Sequence, residues 1–206
     1  MDGLHLMIET ENPISIEALK AGDRDAFAQM VDRTSGHIYH VALQILGDEQ
    51  DAEDVLQETY LKALRSLPAF EGRSSLMTWL YRIAVNEALM AVRRRKPQSL
   101  SVEEPDPDDE NDSQEMEIVD FCCLPEGELL SSETQRALDL AVQHLPATLR
   151  VVFVMRDLEG LSIQDTAEAL GLSENNVKTR LLRARLRLRQ ELSVYFGGRL
   201  KEEVHR

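Results

Sequence analysis

Apolar residues recur every three or four positions through the first part of the chain, a spacing that places them on one face of a helix. Within residues 16–48 this repeat includes Leu19 and Ile38. The next stretch, DAEDVLQETYLKALRSLP, continues the spacing and ends before a proline, which disfavours further helix. A third stripe starts after Ser74 or Ser75, either of which suits an N-cap. The pattern predicts an all-helical N-terminal module.

Residues from 131 onward carry the same helical spacing. The segments SSETQRALDLAVQHLP and ATLRVVFVMRDLEG each predict a helix. The run VVFVM alone would also suit a buried strand, but helical spacing continues on both sides of it and favours a helix. The predicted fold class is therefore all-α, with two small helical domains and no internal repeat.

The segment LSIQDTAEALGLSENNVKTRLLRARLRL predicts two helices joined by a short turn. Ser162 and Ser173 suit N-caps, and Gly171 suits a left-handed C-cap between them. Two helices joined by such a turn form a helix-turn-helix. The second helix has an apolar stripe for packing, made of Val177, Leu181, Ala184, Leu188 and Leu192.

Six cations of that second helix are predicted to project away from its apolar stripe: Lys178, Arg180, Arg183, Arg185, Arg187 and Arg189. No acidic residue interrupts them between Glu174 and Glu191. A charge run alone would more often be a solvated helix face. Because this run follows a well-formed turn, we favour DNA binding in the major groove.

The charge of the chain is unevenly distributed. The 206 residues have a formal net charge of −14, but residues 98–135 contain 13 Asp and Glu and no Lys or Arg. Residues 1–97 have a net charge of −4 and residues 136–206 have a net charge of +3. The charge of these flanking parts therefore does not argue against a polyanionic partner. Residues 98–130, with several prolines, predict an extended and flexible acidic linker.

Several classes of function lack support in the sequence. No apolar run is long enough to cross a membrane, and the acidic N-terminus does not resemble a secretory signal. The two cysteines, Cys122 and Cys123, are adjacent, which is no disulfide framework and fits a reducing cytoplasm. Neighbouring metal ligands are missing, so we predict no metal and no cofactor. His37 and His40, on one helix face, are interpreted as ordinary partly buried histidines.

The stretch FEGRSSLMTWLYRIAVNEALMAVRRRKP places aromatic residues before four consecutive cations. Phe70 and Trp79 beside a basic helix end would suit single-stranded nucleic acid, because aromatics stack on bases and cations follow the backbone. On composition alone, packing in the core is the stronger explanation of the aromatics. Asn86 would contact a base edge or lie on a polar helix face.

An acidic helix face is predicted in DAEDVLQETYLKAL. Asp51, Asp54 and Glu58 lie at three- and four-residue spacing, with Gln57 beside them. Such a face would dock a basic protein partner or would simply be solvated.

These three segments, in this order, resemble the extracytoplasmic-function sigma factors of bacterial RNA polymerase. The resemblance covers about residues 15–97 and 131–195. It implies a region 2-like domain at 15–97 for core polymerase binding, −10 recognition and melting, a linker at 98–130, and a region 4-like domain at 131–195 for −35 recognition. It also implies a cytoplasmic protein without catalysis of its own.

The resemblance assigns roles to particular residues. Docking on the clamp coiled coil of the polymerase β′ subunit falls on Asp51, Asp54, Gln57, Glu58 and Leu61. Contacts with the melted −10 element and the adjacent duplex fall on Phe70, Arg73, Asn86, Arg93, Arg94, Arg95 and Lys96, with Glu71 and Gly72 in the same loop. Contacts with the −35 element fall on Lys178, Thr179 and Arg183 for bases, and on Arg180 and Arg185 for phosphates.

The implied partners are core RNA polymerase, through its β′ and β subunits, promoter DNA as duplex and as non-template single strand, and an anti-sigma factor. The main alternative is a stand-alone helix-turn-helix regulator that binds palindromic duplex DNA as a dimer. An enzyme is a third class, but no nucleophile–base pair, metal cluster or phosphate loop supports it.

Overall fold

The computed structural model describes the chain over residues 14–95 and 132–203, with side chains over 14–95 and 136–193. Every regular element in these ranges is helical, which confirms the predicted all-α class. The N-terminal module contains α1 (Ile16–Lys20), α2 (Arg24–Leu46), α3 (Glu49–Ser66) and α4 (Leu76–Arg95). The C-terminal module contains α5 (Ser132–His144), α6 (Ala147–Phe153), α7 (Ile163–Leu170) and α8 (Glu174–Glu203).

Side-chain caps set the starts of the N-terminal helices. Asp23 and Asp48 accept the backbone N–H of the residue three positions on, at 2.8 and 2.9 Å. Ser75, rather than Ser74, does the same for α4 at 3.0 Å. Each cap satisfies an N–H group that would otherwise lack a partner at the helix start. The chain leaves α2 through Gly47, whose φ of +67° is the left-handed conformation that glycine adopts without strain.

The VVFVM run is helical, as its flanking spacing predicted. It begins in α6 and continues directly into one π-helical turn at Val154–Leu158. Val152, Val154 and Met155 are fully buried. A wider turn of this kind inserts one extra residue and rotates the later residues around the helix axis.

Each module has a buried aliphatic core. In the N-terminal module α2, α3 and α4 pack against one another around Met30, Ile38 and Leu80. In the C-terminal module α8 packs on α5, α6 and α7, with Leu188 buried among them. Within the described residues, no helix combines the length and the apolar character needed to cross a membrane.

The two modules also contact each other. Helix α4 packs against α7 and α6, and α2 packs against α5 and α6. At the C-terminal end of α2, Gln143 donates to the carbonyl of Gln44 at 2.6 Å, and Arg150 donates to the carbonyl of Ile45. Burial lowers the pKa of the Arg150 guanidinium below its usual value. These donors satisfy carbonyls that have no partner within α2.

Ser162→Ala is expected to destabilise the C-terminal module by about 1 kcal/mol, the usual cost of losing an N-cap. Ser162 Oγ accepts the N–H of Asp165 at 3.0 Å and donates to its carboxylate at 2.5 Å. Urea unfolding followed by circular dichroism measures the change. Ser193→Ala, on the exposed part of α8, removes a hydroxyl without removing a cap and serves as the control. Equal stability of the two variants would contradict the prediction.

Candidate functional site

Helix α3 presents an acidic and partly apolar face to solvent. Asp54, Gln57 and Glu58 are exposed, and Leu61 keeps 47% of its surface accessible. Their positions differ by three, four and seven residues, so the side chains share one stripe of the helix. An exposed leucine beside carboxylates is suited to a protein partner, because contact would bury the leucine and pair the charges.

Asp51 lies at the edge of this face and is already paired. Its carboxylate forms an ion pair with Arg95 at the end of α4, and Arg95 also donates to the carbonyl of Leu46 at 3.0 Å. Asp48 lies 3.7 Å from the same guanidinium. The pair therefore ties α4 to the junction between α2 and α3.

The basic end of α4 remains exposed. Arg93 and Arg94 project to solvent at the last turn, where cations are favoured by the negative end of the helix dipole. Lys96, the fourth cation of the run, lies outside the described residues. Asn86, two turns before Arg93, is also exposed.

The aromatic pair before α4 is packed together. Phe70 is only 6% exposed, and its ring lies against Trp79 with centroids 5.1 Å apart and planes at 48°. Arg73 and Glu71, in the loop that follows Phe70, are exposed and pair with each other at 2.5 Å. Phe70 therefore takes the packing role, and contact of the aromatic pair with single-stranded nucleic acid stays a prediction.

The helix-turn-helix forms as predicted. Gly171 adopts φ of +66° at the end of α7, and Ser173 accepts the N–H of Asn176 at 3.2 Å at the start of α8. Val177, Leu181, Ala184 and Leu188 are buried and Leu192 is partly buried against the core, which confirms the apolar stripe. Lys178 and Thr179 are exposed near the N-terminus of α8, and Arg183 is partly exposed.

Two arginines of α8 differ from the expectation of freely projecting cations. Arg180 is only 8% exposed, so the prediction that it projects away from the apolar stripe is wrong. It follows Val177 by three positions and precedes Ala184 by four, and this spacing places it on the buried face. Its aliphatic stem packs there as arginine stems commonly do. Arg185 makes a two-point contact with Asp157, at 2.8 and 2.7 Å.

Sequence reasoning missed the polar contacts between the modules. Glu159 receives hydrogen bonds from His37, His40 and Tyr81, although they lie more than 70 positions earlier in the chain. The only local signal was the three-residue spacing of the two histidines. Among the described residues, no group of three or more His, Cys, Asp or Glu side chains is arranged to hold a metal ion. Cys122 and Cys123 lie outside these residues.

Comparison with known protein families matches both modules. Sigma-70 region 2 matches residues 30–98, and Sigma-70 region 4 matches residues 135–188. Among solved structures, the sigma factor RpoE in complex with the anti-sigma factor NepR from Bartonella quintana is 26% identical, with a TM-score of 0.60 over 82% of this chain and 97% of that one. CnrH in complex with the cytosolic domain of CnrY, at 24% identity and a TM-score of 0.63, shares the fold.

Similarity to curated proteins extends over most of the chain. The ECF RNA polymerase sigma-E factor of Haemophilus influenzae is 34% identical over 172 residues, which cover 82% of this chain and 89% of the relative. The ECF RNA polymerase sigma factor SigW of Bacillus subtilis is 33% identical over 177 residues, 86% of this chain and 94% of the relative. The chain therefore belongs to the extracytoplasmic-function (ECF) family of RNA polymerase sigma factors.

Proposed function

We propose that the N-terminal module, residues 15–97, binds core RNA polymerase and opens the −10 element, and that the C-terminal module, residues 131–195, reads the −35 element. This division of roles is supported by where the exposed features lie. The first module has an exposed acidic face and an exposed basic helix end, and the second module has a helix-turn-helix. The intervening segment, 98–130, connects them through the polymerase, where its negative charge suits channels lined for nucleic acid. Polymerase performs the chemistry, and this chain contributes no catalysis.

Docking on polymerase uses the α3 face. Asp54 and Glu58 would pair with cations of the β′ clamp coiled coil, while Leu61 loses its contact with water. Gln57 lies between them and supplies both a hydrogen-bond donor and an acceptor. Asp51 contributes less in this account, because Arg95 already neutralises it.

The −10 contacts use the loop before α4 and the end of α4. Asn86 is accessible to a base as it stands. Arg73 is exposed but would have to exchange its ion pair with Glu71, and Phe70 must leave its packing on Trp79 to stack on a base. Unstacking a base from duplex DNA costs a few kcal/mol, and stacking on an aromatic ring offsets part of that. Arg93 and Arg94 would bind the adjacent phosphates.

Arg93→Ala and Arg94→Ala are each expected to reduce the salt dependence of promoter binding, lowering the slope of log K against log salt by about 0.9. Arg95→Ala should lower it less, because the ion pair with Asp51 and the bond to the Leu46 carbonyl compete with a phosphate. The measurement is binding of a promoter duplex by chain and core polymerase together across a salt series. A slope change for Arg95→Ala as large as for Arg93→Ala would refute this ranking.

The −35 contacts use the first turns of α8. Lys178 and Thr179 are exposed there, and Arg183 follows one turn later, so these three would reach base edges in the major groove. Arg185 would reach a phosphate only by exchanging its contact with Asp157. Arg180 would need its buried guanidinium to turn outward.

An anti-sigma factor is the proposed regulatory partner. The similar RpoE of Bartonella quintana was solved in complex with an anti-sigma factor, NepR. Because polymerase and promoter DNA are the working partners, the place of action is the cytoplasm. Assembly is tested by mixing the chain with bacterial core polymerase in gel filtration. Co-elution at equal stoichiometry is expected, and independent elution at micromolar concentrations would overturn the proposal.

A further inference from the structure

Glu159 joins the two modules through a buried carboxylate. Its side chain is only 5% exposed and follows the π-helical turn of the C-terminal module. Three donors reach it from the N-terminal module: His40 Nδ1 at 2.6 Å, the Tyr81 hydroxyl at 2.7 Å and His37 Nδ1 at 3.3 Å. An ionised carboxylate only accepts, so these contacts require each imidazole to carry a proton on Nδ1. We refer to these four residues as the Glu159 clasp.

The clasp depends on contact between the modules. A buried carboxylate is unfavourable unless hydrogen bonds replace its water, and here the three side-chain donors come from the opposite module. Burial and the negative charge of Glu159 raise the pKa of Tyr81, so its hydroxyl keeps the proton that it donates. Hydrogen bonds to a charged acceptor are the stronger kind. Once the modules separate, Glu159 loses these three donors and must be solvated by water instead.

A second polar contact supports the same arrangement. Gln143 and Arg150 of the C-terminal module bind the last carbonyls of α2, next to Gly47. A Cβ added at Gly47 would lie 2.7 Å from Gln143 Oε1, so the approach is close. Two separate sets of hydrogen bonds with defined partners indicate a specific interface between the modules.

This packed arrangement conflicts with simultaneous reading of both promoter elements. The −10 and −35 elements are separated by about 25 base pairs, or about 85 Å of duplex at about 3.4 Å per pair. A module of this size is only about 28 Å across, so two modules in contact do not reach both elements. The 36 residues from 96 to 131 span up to about 120 Å when extended, which is long enough for separation.

We infer that the packed arrangement is an autoinhibited form of the free protein, held by the Glu159 clasp and opened on the polymerase. The inference that the packed form is inhibitory rests on the proposed function, whereas the hydrogen bonds of the clasp do not depend on that function. Asp54, Gln57 and Glu58 stay exposed in the packed form. Polymerase can therefore contact α3 first, and binding of the C-terminal module elsewhere on the enzyme would then favour the open form.

Glu159→Gln in the full chain tests the clasp. An amide has one acceptor oxygen, and its NH₂ group would face the donors of the N-terminal module. We expect the packed form to lose population, with the radius of gyration from small-angle X-ray scattering rising by roughly 5 Å or more. The apparent affinity for core polymerase should rise about tenfold or more, because less of the chain has to open first.

Two further variants distinguish the loss of the Glu159 clasp from a general effect of removing a negative charge. Tyr81→Phe removes one donor from the other side of the interface, so it should expand the chain in the same direction and add little to Glu159→Gln. Glu168→Gln, at an exposed position on α7, makes the same charge change and should leave the chain compact. Circular dichroism establishes that the helices of each variant are retained.

A wild-type chain that is already expanded, or a Glu159→Gln chain that stays compact, would overturn the inference. The size measurements use the free protein, so they do not depend on its function as a sigma factor. If the clasp variants expand but the chain never binds core polymerase, the clasp survives and the proposed function fails. If the chain directs transcription but Glu159→Gln changes neither size nor affinity, the clasp fails alone.

Discussion

Asp54→Arg is expected to lower promoter-dependent transcription with core polymerase by about 100-fold or more. In the proposed complex the exposed Asp54 pairs with a cation of the polymerase, and losing one partner of a close interfacial charge pair costs about 2–5 kcal/mol. Placing a second cation there adds repulsion. A loss of about 2.7 kcal/mol already corresponds to a 100-fold weaker complex. Fluorescence anisotropy of a labelled chain titrated with core polymerase measures the affinity directly.

Glu53→Arg is the matched control for this experiment. Glu53 is also exposed on α3 but lies one position away, about 100° around the helix from Asp54. The two variants have the same net charge, and neither removes a buried contact. If Glu53→Arg weakened binding as much as Asp54→Arg, the effect would be one of overall charge, and the docking face would be wrongly assigned.

Arg183→Ala is expected to remove base discrimination at one position of the −35 element and to weaken promoter use by roughly 10- to 100-fold. A good two-point contact between a side chain and a base contributes about 1–3 kcal/mol of discrimination. Transcription by the assembled polymerase from promoters varied one base at a time measures the preference. The variant should respond equally to all four bases at the affected position while keeping its preferences elsewhere.

Arg189→Ala controls for the loss of charge. Arg189 is exposed on the same helix but lies six positions from Arg183, about 240° around the axis. Arg189→Ala should weaken transcription from all promoters by a similar factor, which is smaller than the factor for Arg183→Ala. The effect should decrease at higher salt. Retention of every base preference by Arg183→Ala would show that Arg183 only contacts the backbone.

The local features of the fold could be predicted from the sequence because their causes are local. The helix-turn-helix needs a capping hydroxyl at the start of α7, a left-handed glycine at its end and a second hydroxyl at the start of α8, and Ser162, Gly171 and Ser173 supply them in order. The exposed face of α3 follows equally from helical spacing around Asp54 and Glu58.

Other features depended on where distant residues meet. Glu159 and His37 are 122 positions apart, and no spacing rule relates them. Arg95 looked like one more cation of a basic run, but the proximity of α3 and α4 pairs it with Asp51. Arg180 is the exception, because its spacing from Val177 and Ala184 already indicated the buried face. Its charge favoured the prediction of a solvent-facing position, although the helical spacing places it on the buried face.

We propose that this chain gives RNA polymerase its promoter specificity. The most direct test is transcription in vitro with the chain, bacterial core polymerase and a library of genomic fragments, followed by mapping of RNA 5′ ends. The account predicts new start sites that share two upstream elements at a fixed spacing, with output lost on Asp54→Arg. An absence of new starts, together with tight binding of palindromic duplex DNA by a dimer of the chain alone, would contradict the account and indicate a stand-alone regulator.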